Sequence, residues 1–222
     1  MFTVTTPAAD RNLLTLAEMK SALGITDAAS DATLTALGAQ ISDMIAHECL
    51  VPVDGVTPPT LRSEAIVDEV NNDLRYSGKT SPIVLTRRFV TSITSVVVAG
   101  TTLLAADYQV DKGAGLLRRV NDGGTIICWS SGKIVVTYIA GFVTIPEPLK
   151  LAAVTVLREQ WSSAAQGGAA SRDPMVKSEA VDGVSRFEYF GQSGGSSGAM
   201  SSGMAISPTA SAMLTPYKYW DV

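Results

Sequence analysis

Residues 133–161 have the sequence KIVVTYIAGFVTIPEPLKLAAVTVLREQW, in which a strand pattern changes to a helix pattern within a few residues. Residues 133–138 form a short run rich in β-branched side chains, which is typical of a strand. Pro146-Glu147-Pro148 predicts a helix start, because a proline in the first turn gives up no helical hydrogen bond. The helix is expected near residues 147–166 and is closed by Gln166-Gly167-Gly168. Its predicted apolar side consists of Leu149, Ala152, Ala153, Val156, Leu157 and Trp161.

The strand pattern recurs upstream of this stretch. Residues 89–106 carry no charge over 18 positions, which is about the length of a membrane span. They hold six Ser or Thr residues and Gly100, so they are interpreted as strand, turn and strand, and no membrane partner is expected. Together these patterns predict a small antiparallel β domain. The β-branched runs are residues 83–86, 93–98, 116–119 and 133–138, with turn signals at 99–100, 112–113, 121–124 and 131–132.

Two helices are predicted before the β region. Thr15-Leu16-Ala17-Glu18 has the S/T-x-x-E form of a capping box, and Gly24 is expected to end this first helix. Ser30-Asp31 is expected to cap a longer second helix that ends at Pro52. Residues 1–12 are interpreted as a loose arm, and residues 61–74 fit either a helix face or a short strand. The apolar stripe of the second helix consists of Leu34, Leu37, Ile41, Met44, Ile45 and Cys49.

The C-terminal end combines a polar stretch with an apolar one. Ten of the fifteen residues from 191 to 205 are Gly or Ser, a composition typical of a flexible tether. Ser207-Pro208 predicts a short helix, because serine caps a helix and proline suits its first turn. Large apolar side chains beyond such a tether are expected to be buried on a partner or a neighbour. The predicted anchor residues are Leu214, Pro216, Tyr217 and Trp220.

These patterns together predict an α+β fold. The expected architecture is a helical bundle, made of the two N-terminal helices and the long helix near 147–166, with an inserted small antiparallel β domain and an extended C-terminal tail. The expected parts are residues 1–58 for the N-terminal helices, 59–142 for the β-rich insert, 143–168 for the helix that completes the bundle, and 169–222 for the Gly/Ser-rich tail with its terminal docking hook.

Composition excludes several classes of function. Of the 222 residues 46% are hydrophobic and 17% charged, against about 25% charged in an average globular chain, which is unlike a disordered charged protein. The two cysteines, Cys49 and Cys128, are too few for a disulfide or zinc scaffold, and the single histidine, His47, excludes sites that need two. The net charge of −4 gives no general attraction to nucleic acid.

Charge is nonetheless distributed unevenly along the chain. Residues 1–73 hold 11 acidic and 3 basic side chains, whereas residues 74–222 hold 10 acidic and 14 basic ones. Basic doublets are candidates for pairing with the acidic half of a neighbouring subunit, and the alternative is that both faces are solvated. The doublets are Arg87 and Arg88, and Arg118 and Arg119.

No pattern in the sequence assembles a catalytic, cofactor or metal site. Gly78-Lys79-Thr80 resembles the end of a phosphate loop, but Asp73 stands where that loop needs a glycine. Ser130 and Lys133 have the spacing of a serine–lysine pair, but the strand pattern around them contradicts the helix that this pair requires. The adjacent carboxylates of Asp68-Glu69 point apart on a helix or a strand. We therefore expect no enzyme, no cofactor and no metal.

Four stretches in order resemble one family. They are residues 14–20 (LTLAEMK), residues 95–103 (SVVVAGTTL) with 107–110 and 115–118, residues 135–142 (VVTYIAGF) with Pro146 and 149–152, and residues 214–218 (LTPYK). With this order and spacing the chain resembles the head–tail connector (adaptor) proteins of tailed bacteriophages and gene transfer agents. The likeness extends over nearly the whole chain, and the departures are the Gly/Ser stretch and residues 61–80.

The resemblance implies a structural role in a virion neck and no catalysis. It implies a homo-oligomeric ring, usually of twelve subunits, that docks under the portal protein and extends the channel through which double-stranded DNA passes. A stopper, tail terminator or tail tube protein would bind the ring, and the terminal hook would embed in the portal or an adjacent subunit. Such a protein is made in the bacterial cytoplasm and resides at the head–tail interface. The alternatives are a tail or baseplate component and an enzyme with an unrecognised site.

Overall fold

A computed structural model describes residues 1–72, 82–166, 178–181, 185–188 and 206–219 of the chain. Within these ranges the fold is α+β, as predicted, with four α-helices and antiparallel sheets. Several residues of interest lie outside the described ranges: Asp73, Gly78-Lys79-Thr80, the Gly/Ser stretch 191–205 and the anchor candidate Trp220.

The helices are α1 (Leu16–Leu23), α2 (Asp31–Glu48), α3 (Glu147–Gln166) and α4 (Pro208–Leu214), and a 3₁₀ turn (Thr215–Tyr217) follows α4. The predicted capping box of α1 is confirmed. The Glu18 backbone N–H donates to Thr15 Oγ1 at 3.3 Å, and the Thr15 N–H donates to Glu18 Oε2 at 2.8 Å. The side chain of Ser30 makes no capping hydrogen bond, and α2 already ends at Glu48, before Pro52 is reached.

Two antiparallel sheets hold the first nine strands. The five-stranded sheet has the order β1 (Phe2–Thr6), β2 (Glu64–Asn72), β9 (Gly132–Ala140), β4 (Val90–Val98) and β5 (Thr101–Thr102). The smaller sheet has the order β3 (Ile83–Val84), β7 (Leu116–Val120) and β6 (Tyr108–Asp111), and β8 (Ile126–Ile127) also pairs with β7. β10 (Ser178–Val181) and β11 (Ser185–Glu188) pair with each other.

The expectation of a loose arm over residues 1–12 is wrong. Phe2–Thr6 forms β1, which pairs with β2 from Phe2 opposite Asp68 to Thr6 opposite Ala65. β2 has a second partner in β9, and the strand interpretation of residues 61–74 is therefore the correct one. The part predicted as helical, residues 1–58, thus contributes a strand to the sheet. The remaining domain boundaries stay predictions.

Buried apolar side chains form two clusters. The helical cluster contains residues of α1, α2, α3 and α4, including Met19, Ile41 and Leu157. The β cluster is centred on β2, β4 and β9 and includes Val96 and Tyr138. On α3, all the predicted apolar positions except Trp161, which is partly buried, are fully buried. No described helix combines the length and the apolar character that a membrane crossing requires.

The end of β9 connects the two clusters. Gly141 has φ 100°, and a Cβ at this position would lie 2.2 Å from the backbone oxygen of Arg62. Phe142 follows and donates its N–H to the Leu61 oxygen at 2.9 Å, so the chain runs closely beside the entry to β2 before α3 begins. Only glycine fits this approach, because the space and the positive φ both exclude a side chain.

Candidate interface around the C-terminal segment

Residues 206–219, called the C-terminal segment from here on, pack on the chain's own helical cluster. Ala210 and Leu214 of α4 have no exposed surface, and Tyr219 is buried as well. All three belong to the cluster that α1, α2 and α3 build, and α4 lies against α2 and α3. The apolar side of this segment is therefore covered within the chain.

Polar contacts hold the segment at the end of α2. Glu48 Oε1 accepts hydrogen bonds from Ser211 Oγ at 2.7 Å and from Lys218 Nζ at 2.5 Å. Lys218 and Ser211 lower the pKa of the Glu48 carboxyl. The Tyr219 N–H donates to the Cys49 oxygen at 2.8 Å. Burial raises the pKa of the Cys49 thiol to about 12, and this cysteine is accordingly an unreactive packing residue.

An aromatic cluster joins the segment to the β part of the chain. The Phe89 ring centroid lies 4.8 Å from that of Phe142, 6.1 Å from Tyr217 and 6.4 Å from Tyr219. The guanidinium of Arg88 lies 5.2 Å from the Phe89 ring centre and donates to the Lys218 carbonyl oxygen. Burial raises the pKa of the Tyr219 phenol, and its interactions with Arg87 and Arg88 oppose that rise.

The structure separates the predicted anchor residues. Leu214 is fully buried against its own chain. The expectation that it anchors to a partner is therefore wrong. Tyr217 is partly buried in the aromatic cluster, and Pro216 is exposed. Among the described residues, Pro216 and the open side of Tyr217 are the anchor positions that a partner can reach.

Arg87 also differs from its expected role, because it is buried and its two terminal guanidinium nitrogens bond within the chain. It is 3% exposed, and its guanidinium donates to the Thr60 oxygen at 2.8 Å and to Glu64 Oε2 at 3.2 Å. Burial raises the pKa of the Glu64 carboxyl, and the positive charge of Arg87 opposes that rise. A buried pair of this kind cannot meet a neighbouring subunit.

A second buried carboxylate lies further along β2. Asp68 Oδ2 accepts from the Thr86 N–H at 2.7 Å and from the Tyr138 hydroxyl at 3.0 Å, and the same hydroxyl accepts from the Arg87 N–H at 3.0 Å. Burial raises the pKa of Asp68, and the hydrogen bonds oppose that rise. These two carboxylates fix the path of residues 86–87 across the sheet.

Sequence reasoning missed this buried network. Glu64, Ile66 and Asp68 occupy alternate positions of β2 and are all buried, so they share one face. The alternation was visible in the sequence, but it becomes informative only when residues 61–74 are known to be a strand.

The second basic doublet lies on β7 in the smaller sheet. Arg118 is exposed, and Arg119 is partly exposed with its guanidinium donating to Ser130 Oγ at 2.5 Å. Lys133 forms an ion pair with Glu69 at 2.8 Å. Ser130 and Lys133 thus have different partners and do not form a serine–lysine pair.

A shallow groove of about 490 Å³ runs between α1 and α3. Its apolar walls include Leu14, Val154 and Leu151, the last of which is 53% exposed. Lys150 crosses the groove to Glu18 at 2.7 Å and lowers the pKa of that carboxyl to about 2. No His, Cys, Asp and Glu side chains of the described residues cluster in a way that holds a metal ion.

Comparison with known proteins identifies likenesses in fold. No protein-family model and no curated protein sequence matches the chain. A chain from the neck of an empty gene transfer agent particle, computed with C6 symmetry, has a TM-score of 0.52 at 17% identity, over 100% of this chain and 97% of that one.

Two further structures have slightly lower TM-scores. A chain of a native gene transfer agent virion has a TM-score of 0.48 at 20% identity, over 78% of this chain and 89% of that one. A chain from the neck of a native gene transfer agent particle, computed with C12 symmetry, has a TM-score of 0.49 at 17% identity, over 100% of this chain and 97% of that one.

Proposed function

We propose that this chain is a structural virion neck protein, the head–tail connector (adaptor) that extends the DNA channel below the portal. One observation carries the proposal: the likeness in fold to a chain from a gene transfer agent neck extends over 100% of this chain and 97% of that one. The order of the four stretches that resemble connector proteins adds independent support from the sequence.

The proposed assembly is a homo-oligomeric ring of twelve subunits in the virion neck, made in the bacterial cytoplasm. The C6 symmetry used for the similar neck structure is compatible with twelve copies. Portal protein would bind one side of the ring and a stopper, tail terminator or tail tube protein the other. Double-stranded DNA passes through as cargo, and the chemistry of the ring is binding alone.

Two surfaces are assigned to these contacts. Pro216 and Tyr217 contact the portal or an adjacent subunit, while Leu214 anchors the segment to its own chain. Trp220, the fourth predicted anchor, lies outside the described residues and stays a prediction. Exposed Arg118 on β7 remains the candidate for pairing with the acidic half of a neighbour. Burying one large aromatic side chain contributes on the order of 1.5–3 kcal/mol, and repetition around a ring multiplies modest contacts into avidity.

Electron microscopy of the purified full chain, alone and mixed with the portal protein of the same virion, tests this function. The expected result is a twelve-subunit ring seated on the portal. Failure to bind the portal, together with labelling at the distal end of the tail, would identify a tail or baseplate component instead. A monomer with hydrolytic activity would identify an enzyme.

Matched variants test the assigned surfaces. Pro216→Asp is expected to weaken portal binding, whereas Thr209→Asp, also exposed on the C-terminal segment, is expected to leave it unchanged. Arg118→Glu is expected to reduce ring formation, with Lys112→Glu, another exposed base in the turn between β6 and β7, as the control. Equal effects within either pair would contradict the assignment of that surface.

A further inference from the structure

Phe89 has an unusual backbone conformation at the start of β4. Its φ of 58° lies in the left-handed region, which a bulky aromatic residue rarely adopts. Such a conformation persists only where the surrounding structure holds it in place. The Phe89 oxygen accepts from the Gly141 N–H at 3.0 Å, and the Val90 N–H donates to the Lys112 oxygen at 2.8 Å. Both bonds restrain the peptide group that follows Phe89.

Other restraints on Phe89 come from the C-terminal segment. Tyr217 and Tyr219 place their rings 6.1 and 6.4 Å from the Phe89 ring. Arg88 lies over the Phe89 ring and donates to the Lys218 carbonyl. Among the described residues, two of the three rings near Phe89 therefore belong to a segment that is distant in sequence. The same segment provides the Lys218 carbonyl that accepts from Arg88.

The same residues contact a turn of the smaller sheet. Arg88 Nε donates to the Gly113 oxygen at 3.4 Å, and the Leu85 N–H donates to the Gly115 oxygen at 2.8 Å. A Cβ on Gly115 would lie 3.1 Å from the Arg87 oxygen, so the turn at residues 112–115 packs directly on this backbone. Residues 85–88 and the turn at residues 112–115 are therefore in direct contact.

We propose that the C-terminal segment is a clamp that holds residues 87–89 in their strained conformation and, through them, the turn at residues 112–115. The segment is linked to β11 through a sequence in which ten of fifteen residues at 191–205 are Gly or Ser, so its contacts with α2, α3 and Phe89 decide whether it is docked. When the segment leaves, Phe89 loses Tyr217 and Tyr219 and relaxes toward an ordinary conformation. The turn at 112–115 then opens. This coupling is a property of the single chain and does not depend on the proposed neck function.

Hydrogen exchange of the full-length protein, read by mass spectrometry, tests the clamp with a matched pair of variants. Leu214→Asp places a charge at a fully buried position of α4 and releases the segment, whereas Ala212→Asp places the same charge at an exposed position of α4. With Leu214→Asp, exchange at residues 86–90 and 112–115 is expected to rise roughly tenfold or more, the size of a typical coupling between sites. With Ala212→Asp it is expected to stay at the wild-type rate.

The proposal is overturned if Leu214→Asp speeds exchange in residues 208–219 while residues 86–90 and 112–115 keep the wild-type rate. If that variant instead loosens the whole helical cluster, the coupling is tested from the other side, by changing Arg88 and measuring exchange in the C-terminal segment. Arg88→Ala is then expected to speed exchange in residues 208–219, because coupling between two sites is reciprocal. Arg118→Ala, which removes an exposed arginine, should not do so. Equal exchange of the segment in both arginine variants refutes the clamp.

Discussion

Replacement of Arg87 by methionine is expected to destabilise the isolated subunit strongly. The Arg87 and Glu64 side chains are 4% and 1% exposed, and their charged groups lie 3.2 Å apart. Removing one member of a buried ion pair costs about 3–5 kcal/mol, because the other charge stays buried without compensation. Arg87→Met should therefore lower the unfolding midpoint by roughly 6–20 °C in a chain of this size.

Urea unfolding of the subunit at neutral pH measures the loss in the free energy of unfolding. Two further variants serve as comparisons. The double variant Arg87→Met with Glu64→Leu is expected to recover most of the stability, since a buried ion pair and an apolar pair of similar volume are often nearly equivalent. Arg118→Met, at an exposed position, should stay within about 0.5 kcal/mol of wild type. A stable Arg87→Met subunit that fails only in ring assembly would refute this reasoning and restore Arg87 to a subunit interface.

Two other predictions concern α1 and the end of β9. Glu18→Gln should cost about 1 kcal/mol near neutral pH, because the lowered pKa of Glu18 means that its bond with Lys150 stabilises the fold above about pH 4.5 and is lost as the pH falls toward 2. Urea titrations from pH 7 to 2 check this against Glu147→Gln, which removes the other, 85% exposed carboxylate beside Lys150 and should have little effect, and a pH-independent difference for Glu18→Gln would contradict the prediction. Gly141→Ala should cost about 3 kcal/mol or more, through backbone strain and a clash at 2.2 Å. Gly55→Ala, also at positive φ but with open space around it, should cost only about 1 kcal/mol in the same assay, and equal losses would show that the clash is relieved.

The parts of the fold that local sequence determines were predictable. The capping box at Thr15 and Glu18 and the proline-led start of α3 are short-range signals, and the structure contains both helices. β1 could not be recognised in this way. Its five residues acquire their strand conformation from pairing with β2, which lies some sixty residues away in the sequence.

The candidate site was harder to predict because burial depends on tertiary contacts. Arg87-Arg88 has the appearance of a solvated basic doublet, yet one guanidinium is enclosed with Glu64 and the other bridges to Lys218. The apolar character of α4 indicated a side that must be covered, but the expected cover was a partner or a neighbouring subunit. Periodicity gives the side that must be buried but carries no information about which surface covers it, and here the surface belongs to the same chain.

The contacts between the two hydrophobic clusters explain why the C-terminal segment matters beyond its own packing. Each cluster consists of apolar side chains, whereas the buried Arg87–Glu64 ion pair and the tilted Phe89–Phe142 ring pair lie beside the end of β9, where the two clusters meet. Such polar contacts add little net stability but allow few alternative geometries, so we infer that they set the orientation of the β part relative to the helices. Tyr217, Lys218 and Tyr219 lie against Arg88 and Phe89 in this same region. A partner that binds Pro216 or Tyr217 therefore acts where the orientation of the two parts is determined, and not on a peripheral tail.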